Sequence, residues 1–222
     1  TASNNTAIGW SALTANTSDD LNVAVGYAAL DANTTGDRAV AVGVGALGSQ
    51  DTSGDTYNVA IGYEACTAIT TGIKNVALGG LALDASTTGA ANTALGHQAL
   101  TSDTQGQRSV AVGHGTLATQ NLTSATSVYN IGIGYDAGNL ITTGIKNILI
   151  GGFSGDAITD ADGNVAIGHS AMSSNTVGSY SVALGFRALN NQNPSSAVDM
   201  YNTAVGTDAG LSITTGVRNT II

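Results

Sequence analysis

The residues of this chain best suited to chemistry fall into columns. All three histidines, His97, His114 and His169, and the single tryptophan, Trp10, directly follow a glycine that closes a short apolar phrase; Tyr27, Tyr63, Tyr135 and Phe186 occupy the same place. Flat side chains recurring at one position form an aromatic ladder, able to stack on the sugar rings of a surface glycan or on one another at a strand-to-turn corner. Imidazoles in neighbouring repeats, as His97 and His114 are, have the ligand chemistry for a metal shared between chains. No cysteine or carboxylate shares their column, and no metal is expected.

A second column lies two places before each phrase: Arg38, Tyr57, Lys74, Arg108, Tyr129, Lys146, Tyr180, Tyr201 and Arg218. It holds five of the six basic residues, an arrangement suited to tyrosine–cation contacts between repeats or across a chain boundary. Glu64, Asp136 and Asp208, which share one place two positions past a motif glycine, are expected to partner it. Asp160-Ala161-Asp162-Gly163-Asn164 resembles the opening of a calcium loop, with oxygen ligands at alternate positions. It lacks the closing glutamate and replaces the ordinary turn Thr143–Asn147, so a turn is expected there. No Ser/His/Asp constellation, glycine-rich loop entering a helix or paired carboxylates outside turns argue for catalysis. Neither enzymatic activity nor a cofactor is expected.

These columns exist because the chain repeats. The phrase reads Thr6-Ala7-Ile8-Gly9, Val23-Ala24-Val25-Gly26, Val40-Ala41-Val42-Gly43 and Val59-Ala60-Ile61-Gly62, and continues to Gly206. The interval from Gly9 to Gly26 and from Gly26 to Gly43 is the plain unit, and it holds throughout except where short insertions lengthen a unit. Three plain units plus one long unit make a higher-order repeat: Tyr57–Ala65 returns as Tyr129–Ala137 and Tyr201–Ala209. Alternation within the phrase predicts a strand with valine and isoleucine on one face and asparagine and alanine on the other. An Ala-Leu pair such as Ala29-Leu30 follows, then a turn such as Asn33-Thr34-Thr35-Gly36. The plain unit has room for two short strands and two turns per coil. Cys66 and Met172 occupy the leucine place and are expected to fill core. The fold expected is all-β: a parallel β-roll or β-solenoid of about 12–13 short coils.

Composition narrows the function. Charged residues are 9% of the chain, against about 25% in ordinary domains, while hydrophobic residues reach 42% and keep fixed repeat positions, unlike a disordered tract. A net charge of −9 with six basic residues argues against nucleic acid, whose affinity comes from lysine and arginine displacing counterions. No run of about 18 apolar residues is present, so no direct membrane insertion is expected. A lone cysteine excludes an internal disulfide framework. The chain reads as a single repeat domain, 1–222, belonging to a longer fibrous protein.

A thin coil with alanine inside leaves its Val/Ile stripe in need of a partner, which predicts an obligate oligomer of identical chains. The inserted loops recur every fourth coil and are expected to project, carrying Gln50, Asp51, Asp55, Gln120, Asn121, Asn191, Gln192 and Asn193 as residues able to hydrogen-bond sugars. With the aromatic column they form the expected ligand-binding set. A monomeric ice- or surface-binding solenoid is an alternative, resting on the pairs Thr34-Thr35, Thr70-Thr71, Thr87-Thr88, Thr142-Thr143 and Thr214-Thr215. Adjacent threonines point to opposite faces of a strand, which weakens it. A purely architectural extracellular filament is a further alternative.

The Asn-Thr-Ala-Ile-Gly-x-x-Ala-Leu pattern with Asn-Thr-Thr-Gly turns resembles the repeats of phage and bacterial tail-fibre proteins, along the whole chain. It is also similar to the head repeats of trimeric autotransporter adhesins, with their Asn-Ser-Val-Ala-Ile-Gly motif. The resemblance implies a trimeric parallel β-roll, left-handed in the adhesin heads. It also implies a role in attachment: a structural and adhesive segment of a homotrimer, extracellular, on a cell surface or a virion tail fibre, touching a surface glycan or receptor.

Overall fold

The computed structural model describes residues 2–18 and 20–222. Among the described residues there is no helix, and the chain is a parallel β-solenoid of about 13 coils built on the plain repeat unit. It divides into two compact units, Thr1–Arg108 with Asn121–Ser127, and Ser109–Gln120 with Val128–Ile222. The first carries the strands Thr6–Ile8, Val23–Val25, Val40–Val42, Val59–Ile61, Val76–Leu78 and Thr93–Leu95. The second carries Val110–Val112, Ile131–Ile133, Ile148–Ile150, Val165–Ile167, Val182–Leu184, Thr203–Val205 and Thr220–Ile221.

Register is strict within each unit. In the first, Ala7, Ala24, Ala41, Ala60, Ala77 and Ala94 stand in one line of paired residues. The insertions do not shift it: Val40 pairs with Val59, Val110 with Ile131 and Val182 with Thr203, as in the plain coils. From Val23–Val25 onward the middle residue of the three-residue strands, alanine in most, points inward, and the core is this column packed against a leucine column that includes Leu30, Leu47, Leu83 and Leu100 in the first unit and Leu117 and Leu189 in the second, all fully buried. Burial of each leucine is worth about 1.5–3 kcal/mol. Cys66 and Met172 stand in the same column and are also fully buried, as their place in the repeat predicts.

The leucines do not belong to a second strand in every coil, contrary to the expectation of two. Residues two and four places past the motif glycine take positive φ, as in Ala28 (50°) and Leu30 (51°) or Glu64 (51°) and Cys66 (54°). That alternation replaces extended backbone with a tight zigzag. A second strand forms only where the end of an inserted loop lies on the preceding plain coil, as the two-residue pairs Gly36–Asp37 with Gly54–Asp55, Gly106–Gln107 with Thr126–Ser127, and Gly178–Ser179 with Val198–Asp199. The motif glycine is obligatory for two reasons, shown at Gly62: its φ is +140°, open to glycine alone, and a Cβ there would lie 2.6 Å from the Gly79 carbonyl of the next coil.

The asparagine that precedes most strands is buried and stitches coils together. Asn58 Oδ1 accepts from Asn75 N at 2.9 Å while Asn58 Nδ2 donates to Gly72 O at 2.7 Å; Asn75 repeats this, and Asn92 Nδ2 donates likewise to Gly106 O. In the second unit Asn130, Asn147 and Asn164 do the same. Buried amides with both ends satisfied avoid the penalty that an unpaired polar group incurs.

Candidate interaction surface

The outer face of the sheet is built by the first and third residues of each strand. Because the middle residue points inward, these must point out. They stay partly or fully exposed in both units: Ile8 (61%), Val76 and Leu78 (45%) in the first, Ile133, Val182 and Leu184 (42%) in the second. The basic and tyrosine column borders this apolar stripe at the strands' N-terminal ends, and the aromatic ladder borders it at their C-terminal ends.

The ladder forms. Trp10 stacks on Tyr27 in the first unit with centroids 5.0 Å apart and planes within 13°. In the second, His114 stacks on Tyr135 at 5.2 Å and 8°, and His169 on Phe186 at 5.8 Å and 26°. Phe153, which the sequence reading passed over, joins it edge-on between Tyr135 and His169. Its signal was Gly152: a glycine in the ladder position leaves a gap that the next side chain fills. Tyr63 and His97 hold equivalent exposed places in the first unit. Where rings stack, they offer their rims to solvent and their faces to each other, so sugars would meet edges, hydroxyls and ring nitrogens. A hydrogen bond to Glu64 holds the Tyr63 phenol above its ordinary pKa, its charged neighbour adding to the effect.

The carboxylates expected to serve the basic column serve the ladder side instead. Asp208 pairs with Arg187 at 2.8 Å, and Asp136 lies 3.8 Å from His114 Nδ1. The reason is topological: residues two places past the glycine are at the opposite end of the strand from the basic column. The inserted loops supply acids to that column. Asp55 pairs with Arg38 and accepts from the Tyr57 hydroxyl at 3.0 Å, and Asp199 accepts from the Tyr201 hydroxyl at 3.0 Å. This last contact raises the Tyr201 phenol pKa. Arg38 also lies over the Tyr57 ring, 6.0 Å from its centroid, and Tyr180 stacks on Tyr201 at 5.8 Å.

The loop residues divide into two groups. Gln50, Gln120 and Gln192 are fully buried, so the expectation that they project is corrected: each turns inward beside the asparagine column. Leu122, Val128 and Met200, buried in the same loops, draw the inserted backbone over the core. Asp51, Asp55, Asn121, Asn191 and Asn193 are exposed. Three of them end rows of threonines. Thr70 Oγ1 donates to Thr87 O and Thr87 Oγ1 to Thr104 O, each at 3.2 Å, and Thr104 Oγ1 donates to Asn121 Oδ1 at 2.9 Å. Thr34 ends likewise on Asp51 at 2.5 Å and Thr176 on Asn193 at 2.8 Å. These hydroxyl donors are spent between coils, which counts against a threonine plane for ice.

Asp160 bonds within its own turn, and Asp162 bonds to the neighbouring coils. Asp162 Oδ1 accepts from Ile145 N at 2.8 Å and Asp160 Oδ1 from Thr159 Oγ1 at 3.2 Å. Among the described residues no three His, Cys, Asp or Glu side chains come together as a metal site, and no helix is long and apolar enough to cross a membrane. Cys66 is buried, and desolvation pushes its thiol well above the ordinary range. No family model matches this chain, and no curated protein matches it in sequence. The class that geometry defines is the parallel β-solenoid with one apolar outer face bordered by two polar side-chain columns.

Proposed function

We propose that this chain is a structural and adhesive segment of an extracellular homotrimeric fibre, of the phage tail-fibre or bacterial surface-adhesin kind, with left-handed coils, that attaches to a cell-surface glycan. The observation that carries the reading is the exposed Val/Ile/Leu face of the strands in both units. An apolar stripe of this kind in each unit is a contact surface in a soluble protein, and identical chains laid side by side would cover it. With that face enclosed, the exposed loop residues Asp51, Asp55, Asn121, Asn191 and Asn193 and the ladder rims remain for a ligand, and their amides, carboxylates and hydroxyls match sugar hydroxyls.

The deciding experiment has two parts. Light scattering after size exclusion, over a dilution series, is expected to give three times the chain mass. Binding to whole cells and to a glycan panel is then compared for the wild type and for a variant carrying Asp51→Ala, Asn121→Ala, Asn191→Ala and Asn193→Ala. Loss of binding at unchanged mass supports the adhesive reading. An architectural filament without ligand is favoured by the ladder faces being spent on each other, and a trimer that binds no cell or glycan would establish it. A monomer at all concentrations would overturn the fibre reading.

A further inference from the structure

The charge pattern on the outer face selects how neighbouring chains lie. Five of the six cations stand in the column at the strands' N-terminal ends in a chain of net charge −9. Among the described residues Lys74, Lys146 and Arg218 are exposed and have no carboxylate within ion-pair distance. They recur once in every four-coil repeat, always at the same place. So do Glu64, Asp136 and Asp208, each ahead of its cation by the same short interval, Asp208 sharing its carboxylate with Arg187 of its own chain. The two sets cannot meet within one chain. Val59 pairs in register with Val76, so Lys74 precedes one strand while Glu64 follows its neighbour, with the apolar stripe between them. The same separation holds for Asp136 and Lys146 through the pairing of Ile131 with Ile148, and for Asp208 and Arg218 through that of Thr203 with Thr220.

We propose that Lys74, Lys146 and Arg218 pair with Glu64, Asp136 and Asp208 of a second copy of this chain, fixing a parallel, in-register assembly through the apolar outer face. This rests on the oligomeric reading above and deepens it. Symmetry selects this arrangement. When two copies face each other across a rotation axis parallel to the coil stack, the N-terminal edge of one sheet opposes the C-terminal edge of the other, so cations meet carboxylates. An axis along the strands sets like edges together and leaves Lys74, Lys146 and Arg218 out of reach of the opposite edge's carboxylates. The same edge-to-edge match arises in any closed ring of parallel chains. Within the second unit, where the Asp136/Lys146 and Asp208/Arg218 sets stand four coils apart, only a shift of four coils restores the full match. A repetitive apolar stripe, alike in every coil, cannot set that register by itself; charges commonly set register and partner choice rather than bulk affinity.

The test is a charge-reversal cycle read by the concentration at which the native assembly half-dissociates, with far-UV circular dichroism to verify folding. Glu64→Lys/Asp136→Lys/Asp208→Lys and Lys74→Glu/Lys146→Glu/Arg218→Glu are each expected to raise that concentration at least about tenfold, about 1.4 kcal/mol. The variant with all six changes is expected to return close to wild type. Should a reversal variant fail to fold, Lys74→Gln/Lys146→Gln/Arg218→Gln removes the attraction without adding repulsion. Sodium chloride on the wild type is an independent readout, since screening of exposed pairs weakens a charge-registered assembly. An oligomeric wild type that ignores both reversals and salt, or a six-change variant no better than the two triples, overturns the pairing and leaves the oligomer standing. A wild type that is monomeric throughout overturns both.

Discussion

Gln120 and Asn130 face each other inside the long coil, both fully buried, with Asn130 Nδ2 donating to Gln120 Oε1 at 2.9 Å. Gln50 with Asn58 and Gln192 with Asn202 repeat the contact at 2.8 Å. In each of these coils the place before the strand, asparagine in most others, is small: Ala39, Ser109 or Ser181. The glutamine enters the room thus left, and Gln120 Nε2 donates to Ser109 Oγ at 3.1 Å. A coil that surrenders its stitching asparagine regains a buried amide from its own inserted loop.

That exchange predicts coupled mutational effects. Gln120→Ala is expected to cost about 2 kcal/mol, a buried amide lost and Ser109 left without it. Ser109→Asn alone overpacks the same space. Ser109→Asn with Gln120→Ser rebuilds the ordinary coil, and its loss in urea denaturation should be smaller than the sum of the two singles. Strict additivity would show that the two side chains do not share the space.

The strand positions, the inward alanine and the outward valine and isoleucine were legible because period-two alternation recurs in every coil with little noise. So was the core role of Cys66 and Met172, which follows from their column alone. The glutamines were not legible: polar residues in an insertion read as surface, and only the three-dimensional neighbourhood of Ser109 reveals the vacancy Gln120 occupies. The partners of Glu64, Asp136 and Asp208 were misread for a related reason, since proximity along the coil sequence hides which end of the strand a residue stands at. Positive φ at Leu30 and its equivalents has no local signal either, as leucine ordinarily avoids that region; stacking hydrogen bonds such as Leu30 N to Ala46 O at 3.1 Å hold it there.

A second exchange involves volume. Leu149 stands where most other strands carry alanine, and the neighbouring leucine places hold Gly138 and Gly155, where an added Cβ would come within 2.7 Å of the Leu149 side chain. One leucine from the strand thus fills the space of two from the turns. Leu149→Ala is expected to destabilise the second unit by about 3 kcal/mol through the cavity left behind. Adding Gly138→Leu and Gly155→Leu to that variant should recover part of the loss, since leucine already adopts φ near 50° at the equivalent positions 30, 47 and 117. Thermal melts of the single and triple variants check this; a triple variant less stable than Leu149→Ala would refute the exchange.

Cys66 offers a clean report on opening of the first unit. Burial both hides its thiol and raises its pKa, and the reactive species is the thiolate. Dithionitrobenzoate is expected to leave the native protein unlabelled at mildly alkaline pH and to label one thiol per chain in denaturant. Rapid labelling without denaturant would mean that the leucine column around Cys66 opens readily.

Asp156 gives the pH dependence a definite sign. Desolvation, with Asp136 nearby, raises its pKa, partly offset by backbone hydrogen bonds and by His169, and its Oδ1 is buried without a hydrogen-bond partner. A carboxyl whose folded pKa exceeds its unfolded one, near about 3.9, favours the fold while protonated in both states. That advantage is lost as pH rises through the folded value, because the unfolded chain then ionises more easily. Asp156→Asn keeps the shape and removes the charge, so it is expected to melt higher than wild type at neutral pH. The difference should shrink as the pH falls and vanish at about pH 3, where the wild-type carboxyl is protonated in both states. Melting curves of the two proteins across this range decide it: a variant less stable at neutral pH would mean that the charged Asp156, through its backbone hydrogen bonds and its attraction to His169, stabilises the coil.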